Sequence, residues 1–314
     1  MTSLAFGLMA IAPSVRAADA EIVVTIRPVH SLVSGLMEGV GTPRLLVEGV
    51  ASPHAFTLKP SEARAAGKAR VLVRVSEQLE PFTEKLVRSL PQSVTVVTLS
   101  QAPGLTRHAL RSGGAFEAHD DGERSGNARH GDHDHEHDAK SGNDPHIWLD
   151  PANARAMVAY LRTSLGRAMP GQAQRIDANA ARMMQQLTRL EAEIADTVKP
   201  LAGRPFVVFH DAYQYFERRF GVTAIGSVTV SPEVPPSARR LSQLRAKLTR
   251  LGAACVFAEP QFAPRVISSI IEGTTARKGT LDPLGAAIPA GPGLYATLMR
   301  DMAASLKGCL GAAS

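Results

Sequence analysis

Six of the ten histidines fall between positions 108 and 137, as His108, His119, His130, His133, His135 and His137, and His146 follows nine residues later. Neutral imidazole is the commonest protein metal ligand, and carboxylates placed among imidazoles attract a divalent cation. From 119 to 138 there are seven Asp or Glu against two Arg, a local charge of −5. Such a run reads either as a set of weak, exchangeable zinc sites at His119, His130, His133, His135 and His137 or as a dispensable solvated insertion. It is internal and irregular, which argues against a purification tag.

The histidines outside the run are more informative. His54 lies in Ser52-Pro53-His54-Ala55-Phe56-Thr57-Leu58-Lys59-Pro60, His146 in Asp144-Pro145-His146-Ile147-Trp148-Leu149-Asp150, and His210 at the end of the β-type run Pro205-Phe206-Val207-Val208-Phe209. Each occupies a loop or strand end, and Asp282 falls in a similar loop, whereas His30 stands at a helix start. A single histidine is more often structural than a ligand. Three in equivalent positions, with Asp282 as a possible fourth, describe a metal site in a cleft between lobes. Three imidazoles and one oxygen suit tetrahedral Zn²⁺, whereas Mn²⁺ prefers more carboxylate oxygen. A zinc hydrolase could use the same three ligands, but no His-Glu-x-x-His helix and no evident general base accompany them.

The elements that must position these residues alternate. Strand runs at 21–26, 44–47, 69–75 and 93–97 are separated by helical stretches over 30–40 and from about 61 and 78. The pattern resumes at 205–211 and continues through 222–227 and 255–258 to a last helix ending near Cys309. This predicts an α/β protein of two lobes, each a parallel sheet flanked by helices, with ligands at the carboxyl ends of strands. Between the lobes a helical pattern of about 28 residues runs without internal Pro or Gly to Lys199-Pro200. At the usual rise it is about 42 Å long, and it reads as one rigid joining helix. The expected organisation is 1–20 export signal, 21–168 first lobe with a flexible loop over about 108–143, 169–200 linker helix and 201–314 second lobe.

The bulk composition agrees with a soluble globular chain: 44% hydrophobic, 20% charged and a mean hydropathy of −0.04. The formal charge of +6 permits a polyanionic partner. Dispersed arginines and the absence of a basic stripe interleaved with aromatics argue against nucleic acid. Leu4 to Ala12 is a short apolar core followed by Pro13 and small residues near Ala17, as in a secretory signal, although Met1-Thr2-Ser3 lacks the usual positive charge. Export favours a disulfide between Cys255 and Cys309 over two buried free thiols.

Taken in order, Val24-Thr25-Ile26-Arg27-Pro28-Val29-His30, Ser52-Pro53-His54-Ala55-Phe56, Asp144-Pro145-His146-Ile147-Trp148-Leu149-Asp150, Phe209-His210-Asp211-Ala212-Tyr213, Phe257-Ala258-Glu259-Pro260-Gln261-Phe262 and Leu281-Asp282-Pro283-Leu284-Gly285 resemble the zinc-specific periplasmic solute-binding proteins of bacterial ABC importers. This is the ZnuA group within the larger cluster of zinc- and manganese-binding lipoproteins and adhesins. The resemblance implies two αβ lobes on a long helix and Zn²⁺ as transported ligand at His54, His146 and His210, with Asp282 or water as the fourth ligand. It further implies a monomer in the periplasm that serves an inner-membrane permease with a cytoplasmic ATPase, and no catalysis. Manganese-binding relatives usually place a glutamate where this chain has His210. Metal-dependent adhesins of the cluster usually carry a lipobox cysteine, which is lacking at the signal junction here. Where some relatives have an acidic residue before the first ligand, this chain has Pro53.

Overall fold

The computed structural model describes residues 22–111, 116, 142–229, 237–252, 254–262 and 265–311. The putting together of the first half follows its β-branched runs. Strands β1 (Ile22–Val24), β2 (Arg44–Leu45), β3 (Val71–Arg74) and β4 (Thr95–Thr98) pair in parallel in the order β2-β1-β3-β4. Helices α1 (Arg27–Leu36), α2 (Pro60–Gly67) and α3 (Phe82–Ser89) connect them. Two boundaries depart from the sequence reading. Helix α1 begins at Arg27 rather than His30, because Pro28 sits in its first turn, where a missing N–H costs nothing. Helix α3 begins at Phe82 rather than near 78, because the preceding residues form a turn closed by Glu80.

Helices α4 (Pro151–Ala168) and α5 (Ala173–Val198) lead to the second half. There β5 (Phe206–Val208), β6 (Ala224–Ser227), β7 (Cys255–Ala258) and β8 (Arg277–Thr280) pair in parallel as β6-β5-β7-β8, the same order as in the first half. Helices α6 (Gln214–Phe220), α7 (Ala238–Leu251), α8 (Arg265–Ile271) and α9 (Leu294–Leu310) complete it. Parallel strands need long crossovers, and the helices supply them while covering both sheet faces.

The joining helix is α5. Ile176, Ala180, Met183, Leu187, Leu190, Ile194 and Val198 recur at helical spacing and are buried, so one apolar stripe runs its length. It packs on α4 and α1 from the first half and on α9 from the second. The principal core therefore runs without a break from Ile22 to Leu310, and smaller clusters cover the outer face of each sheet.

Direct bonds also join the halves. Trp148 Nε1 donates to Pro283 O at 2.8 Å, Tyr295 Oη donates to Trp148 O at 2.8 Å, and Arg27 Nε donates to Gly285 O at 3.0 Å. Asp150 caps α4 by accepting from Ala152 N and takes a two-pronged bond from Arg219 on α6, 2.7 Å on each arm. The Cys255–Cys309 disulfide closes a separation of 54 residues and ties β7 to the end of α9. Closing a loop of that length contributes about 4 kcal/mol in the chain-entropy view.

In both sheets the strand order reverses beside the first strand, which opens a crevice at the carboxyl ends of β1 and β3, and of β5 and β7. The two crevices are filled differently. In the first half Glu80, fully buried, accepts from Val75 N at 2.9 Å, Ser76 N at 3.0 Å and the Thr25 hydroxyl, so its carboxyl is spent on closing the loops.

Burial pushes the Glu80 carboxyl from its ordinary 4.5 up to about 7, against the opposing pull of its donors. The folded state therefore holds this proton to a higher pH than the unfolded chain does. Its contribution to stability is complete below the unfolded value and is lost as pH rises to about 7. Glu80→Gln, which imitates the protonated carboxyl, should gain roughly 2–3 kcal/mol on the wild type between pH 5 and pH 8. Urea denaturation of both at the two pH values measures this, and a gap independent of pH would refute it.

Candidate metal centre

The crevice of the second half carries chemistry. Val207 and Val208 are fully buried in β5, and His210 emerges just past the strand end. Glu259 follows directly on β7 and is 3% exposed. Its Oε1 accepts from His210 Nδ1 at 2.7 Å, with the His210 backbone N–H at 3.4 Å. From the first half, His146 precedes a short 3-10 turn over Ile147–Leu149, whose Ile, Trp and Leu are buried and anchor it. Asp144 Oδ1 accepts from both His146 Nδ1 at 2.8 Å and the His146 backbone N–H at 2.9 Å. The two histidines are each 5% exposed and lie across from one another.

A carboxylate on Nδ1 fixes each ring's tautomer. With Nδ1–H donated to Asp144 or Glu259, each Nε2 carries a lone pair. Those two atoms are 3.3 Å apart. Two acceptors do not bond each other, so the contact calls for a cation between them. A tetrahedral zinc with Zn–N bonds of about 2.0–2.1 Å sets neighbouring ligand atoms about 3.3–3.4 Å apart.

His54 joins from the loop after β2, half-buried, with ring centroids 5.5 Å from His146 and 5.9 Å from His210. One ligand atom from each of the three rings lies within 4.8 Å of the others, and among the described residues this is the one such group of three or more metal-ligating side chains. Leu79, Trp148, Phe262, Pro283 and Leu284 line the same pocket and make it largely apolar.

Burial, with His210 beside it, holds His146 well below its ordinary value, so the ring is neutral and ready to coordinate at neutral pH. Burial also pushes the Asp144 carboxyl up to about 7. With Asp144 ionised and Nδ1 donating to its Oδ1, the lone pair of His146 lies on Nε2.

The structure brings together His54, His146 and His210 and does not bring Asp282 to them. Asp282 Oδ1 accepts from Leu284 N and Gly285 N, both at 3.0 Å, and from Gln261 Nε2 at 2.9 Å, while Oδ2 accepts from Ala286 N at 2.6 Å. Its carboxylate closes its own loop. His30 lies inside α1, 6% exposed, with Nε2 on Pro43 O at 3.0 Å, so it is structural. His108 packs its ring on Tyr215 with centroids 4.8 Å apart, away from the cluster. His119, His130, His133, His135 and His137, like the signal over 1–20, lie outside the described residues.

Sequence reasoning passed over Asp144 and Glu259 as orienting groups. Asp144, two residues before His146, was within reach of a local argument. Glu259 stands 49 residues from His210, and only the β5–β7 pairing brings them together.

The sequence model of the ZnuA family, described as zinc-uptake complex component A periplasmic, matches residues 22–309. The high-affinity zinc uptake system protein ZnuA of Brucella abortus (strain 2308) is 44% identical over 304 residues, covering 92% of this chain and 91% of that protein. The protein of the same name from Yersinia pestis is 35% identical over 300 residues, covering 93% and 92%. A crystal structure of ZnuA superposes with a TM-score of 0.74 at 22% identity over 92% of this chain and 98% of that one, which establishes the shared fold. With a match over nearly all of its length and relatives this similar, the chain belongs to the ZnuA family of periplasmic zinc-uptake components.

Proposed function

We infer that the protein captures Zn²⁺ in the periplasm between its two halves and passes it to the inner-membrane permease of an ABC importer with a cytoplasmic ATPase. The observation that carries this reading is the 3.3 Å approach of two Nε2 lone pairs whose Nδ1 atoms are both held by buried carboxylates. His54, on a loop rather than a strand end, closes over the ion as the third ligand. Water is the fourth, since the Asp282 oxygens are taken up by loop amides. All-nitrogen coordination by the protein favours zinc over manganese, which prefers oxygen.

Capture rather than turnover fits the site. Asp144 and Glu259 orient imidazoles, so neither is placed to take a proton from a metal-bound water. The names of the Brucella and Yersinia relatives, both high-affinity zinc uptake proteins, support the importer assignment.

Competitive titration of zinc and manganese against a chromophoric chelator tests the reading. One tight zinc site per chain, retained against a large excess of manganese, is the expected result. Preferential manganese retention, or no tight site for either ion, would overturn it.

A further inference from the structure

Arg111 stands where the segments that bear His146 and His210 meet. Residues 108–110 run antiparallel to 142–144: Asp144 N donates to His108 O at 2.8 Å, Leu110 N donates to Gly142 O at 2.9 Å, and Ala109 bridges to Asn143. This short ladder delivers Asp144, and with it His146. On the opposite side Asp211 directly follows His210, and Glu217 lies on α6.

The Arg111 guanidinium grips both carboxylates. Nε donates to the two Asp211 oxygens at 2.9 and 3.0 Å, Nη2 donates to Asp211 Oδ1 and at 2.8 Å to Glu217 Oε1, and Nη1 donates to Glu217 Oε2 at 2.8 Å. The three side chains are 17%, 13% and 4% exposed. An exposed ion pair is worth little, but a planar fork shared between two largely buried carboxylates is directional and resists displacement. The partners are 100 and 106 residues away in sequence, so the contact is made only by the assembled fold.

Building on the zinc-capture reading, we propose that Arg111 is a positioning residue that braces the His146 segment against the His210 loop and holds the two Nε2 atoms at the spacing of a small tetrahedral ion. The brace sets how long zinc is retained and how strongly it is preferred. Arg111 touches no ligand ring. It acts through Asp211, next to His210, and through the ladder that carries Asp144. Without it the two loops relax apart, and zinc loses more than a larger ion that tolerates a wider, less regular set of ligands.

The test uses the full chain with Arg111→Gln and Arg111→Lys. Zinc release to a chelator, the zinc-to-manganese affinity ratio and the visible spectrum of the cobalt(II)-loaded protein are read for each. Arg111→Gln should weaken zinc binding about 10–100-fold, mainly through faster release, as loss of an outer-shell partner does. It should also lower the zinc-to-manganese ratio and reduce the intensity of the tetrahedral cobalt bands. Arg111→Lys keeps the charge but cannot fork to two carboxylates, so it should behave like the glutamine variant. Full recovery with lysine would overturn positioning in favour of charge alone. Arg155→Gln breaks the part-buried pair with Glu191 that links α4 to α5 and controls for general destabilisation. It should leave the cobalt spectrum as in the wild type, and an equal change there would overturn the brace. If wild type retains no zinc, the capture reading itself fails. If wild type binds tightly and Arg111→Gln keeps its release rate and cobalt spectrum, the brace alone is refuted.

Discussion

Replacing His146 by alanine is expected to lower zinc affinity by roughly a thousandfold, beyond the 10–100-fold typical of losing an outer-shell partner. Three features make this ligand costly to lose. Its Nε2 is one of the two that already stand at a tetrahedral edge, 3.3 Å apart. Its ring is 5% exposed and pre-oriented by Asp144, so no ordering is required when the ion arrives. Its removal also leaves the Asp144 carboxyl buried without the Nδ1 partner. His210→Ala should cost about as much, because Glu259 prepares that ring in the same way. His54→Ala should cost less. That side chain is half-buried on a loop and must be drawn inward, so part of its bond energy is already consumed by ordering. Chelator competition at neutral pH on the three variants measures the ranking, and equal losses at 54 and 146 would show that orientation by the buried carboxylates contributes nothing.

Trp148→Ala should be the most destabilising single truncation near the site. The indole is 1% exposed, sits in the core shared by both halves, and donates across to Pro283 O. A buried tryptophan cut to alanine costs about 3–5 kcal/mol from lost contacts and the cavity left behind. The orphaned carbonyl of Pro283 adds to that. For a chain of this size the melting temperature should fall by roughly 5–10 °C. Zinc affinity should fall as well, since the Trp148 ring lies 5.3 Å from that of His146 and forms part of the pocket wall. Trp148→Phe separates the two effects: it restores most of the packing and loses only the Nε1 donor, a deficit of about 1–2 kcal/mol. Calorimetry of both variants decides between them. Equal destabilisation by alanine and phenylalanine would mean that the hydrogen bond, and not the packing, is what Trp148 contributes.

The three imidazoles were legible because each stands beside a signal that is local in sequence. His210 ends an apolar β run, His54 lies between prolines in a strand-to-helix loop, and His146 precedes the buried Ile-Trp-Leu turn and the capping Asp150. The alternation of strands and helices likewise announced parallel sheets, and the unbroken pattern before Lys199 announced α5. Asp282, read as a possible fourth ligand with water as the alternative, was legible as a loop carboxylate but not in what its oxygens accept. A carboxylate before a proline in a loop is as well suited to accepting its own backbone amides as to binding a metal, and the fold uses it for the former. Glu80 and Glu259 look alike in sequence, each a glutamate beyond an apolar strand. The neighbour across the crevice assigns them different work: Thr25 and loop amides at one, the His210 ring at the other.

What the sequence determined by itself was the kind of ligand and the kind of element that presents it, because imidazole chemistry and the periodicity of strands and helices are properties of short stretches. The tertiary structure alone decided the distance. Whether two Nε2 atoms 64 residues apart stand at 3.3 Å depends on sheet order, on carboxylates that turn each ring from the far side, and on the fork of Arg111 between their loops. Coordination is sensitive to tenths of an ångström, and only the packing of remote elements can specify a separation that finely.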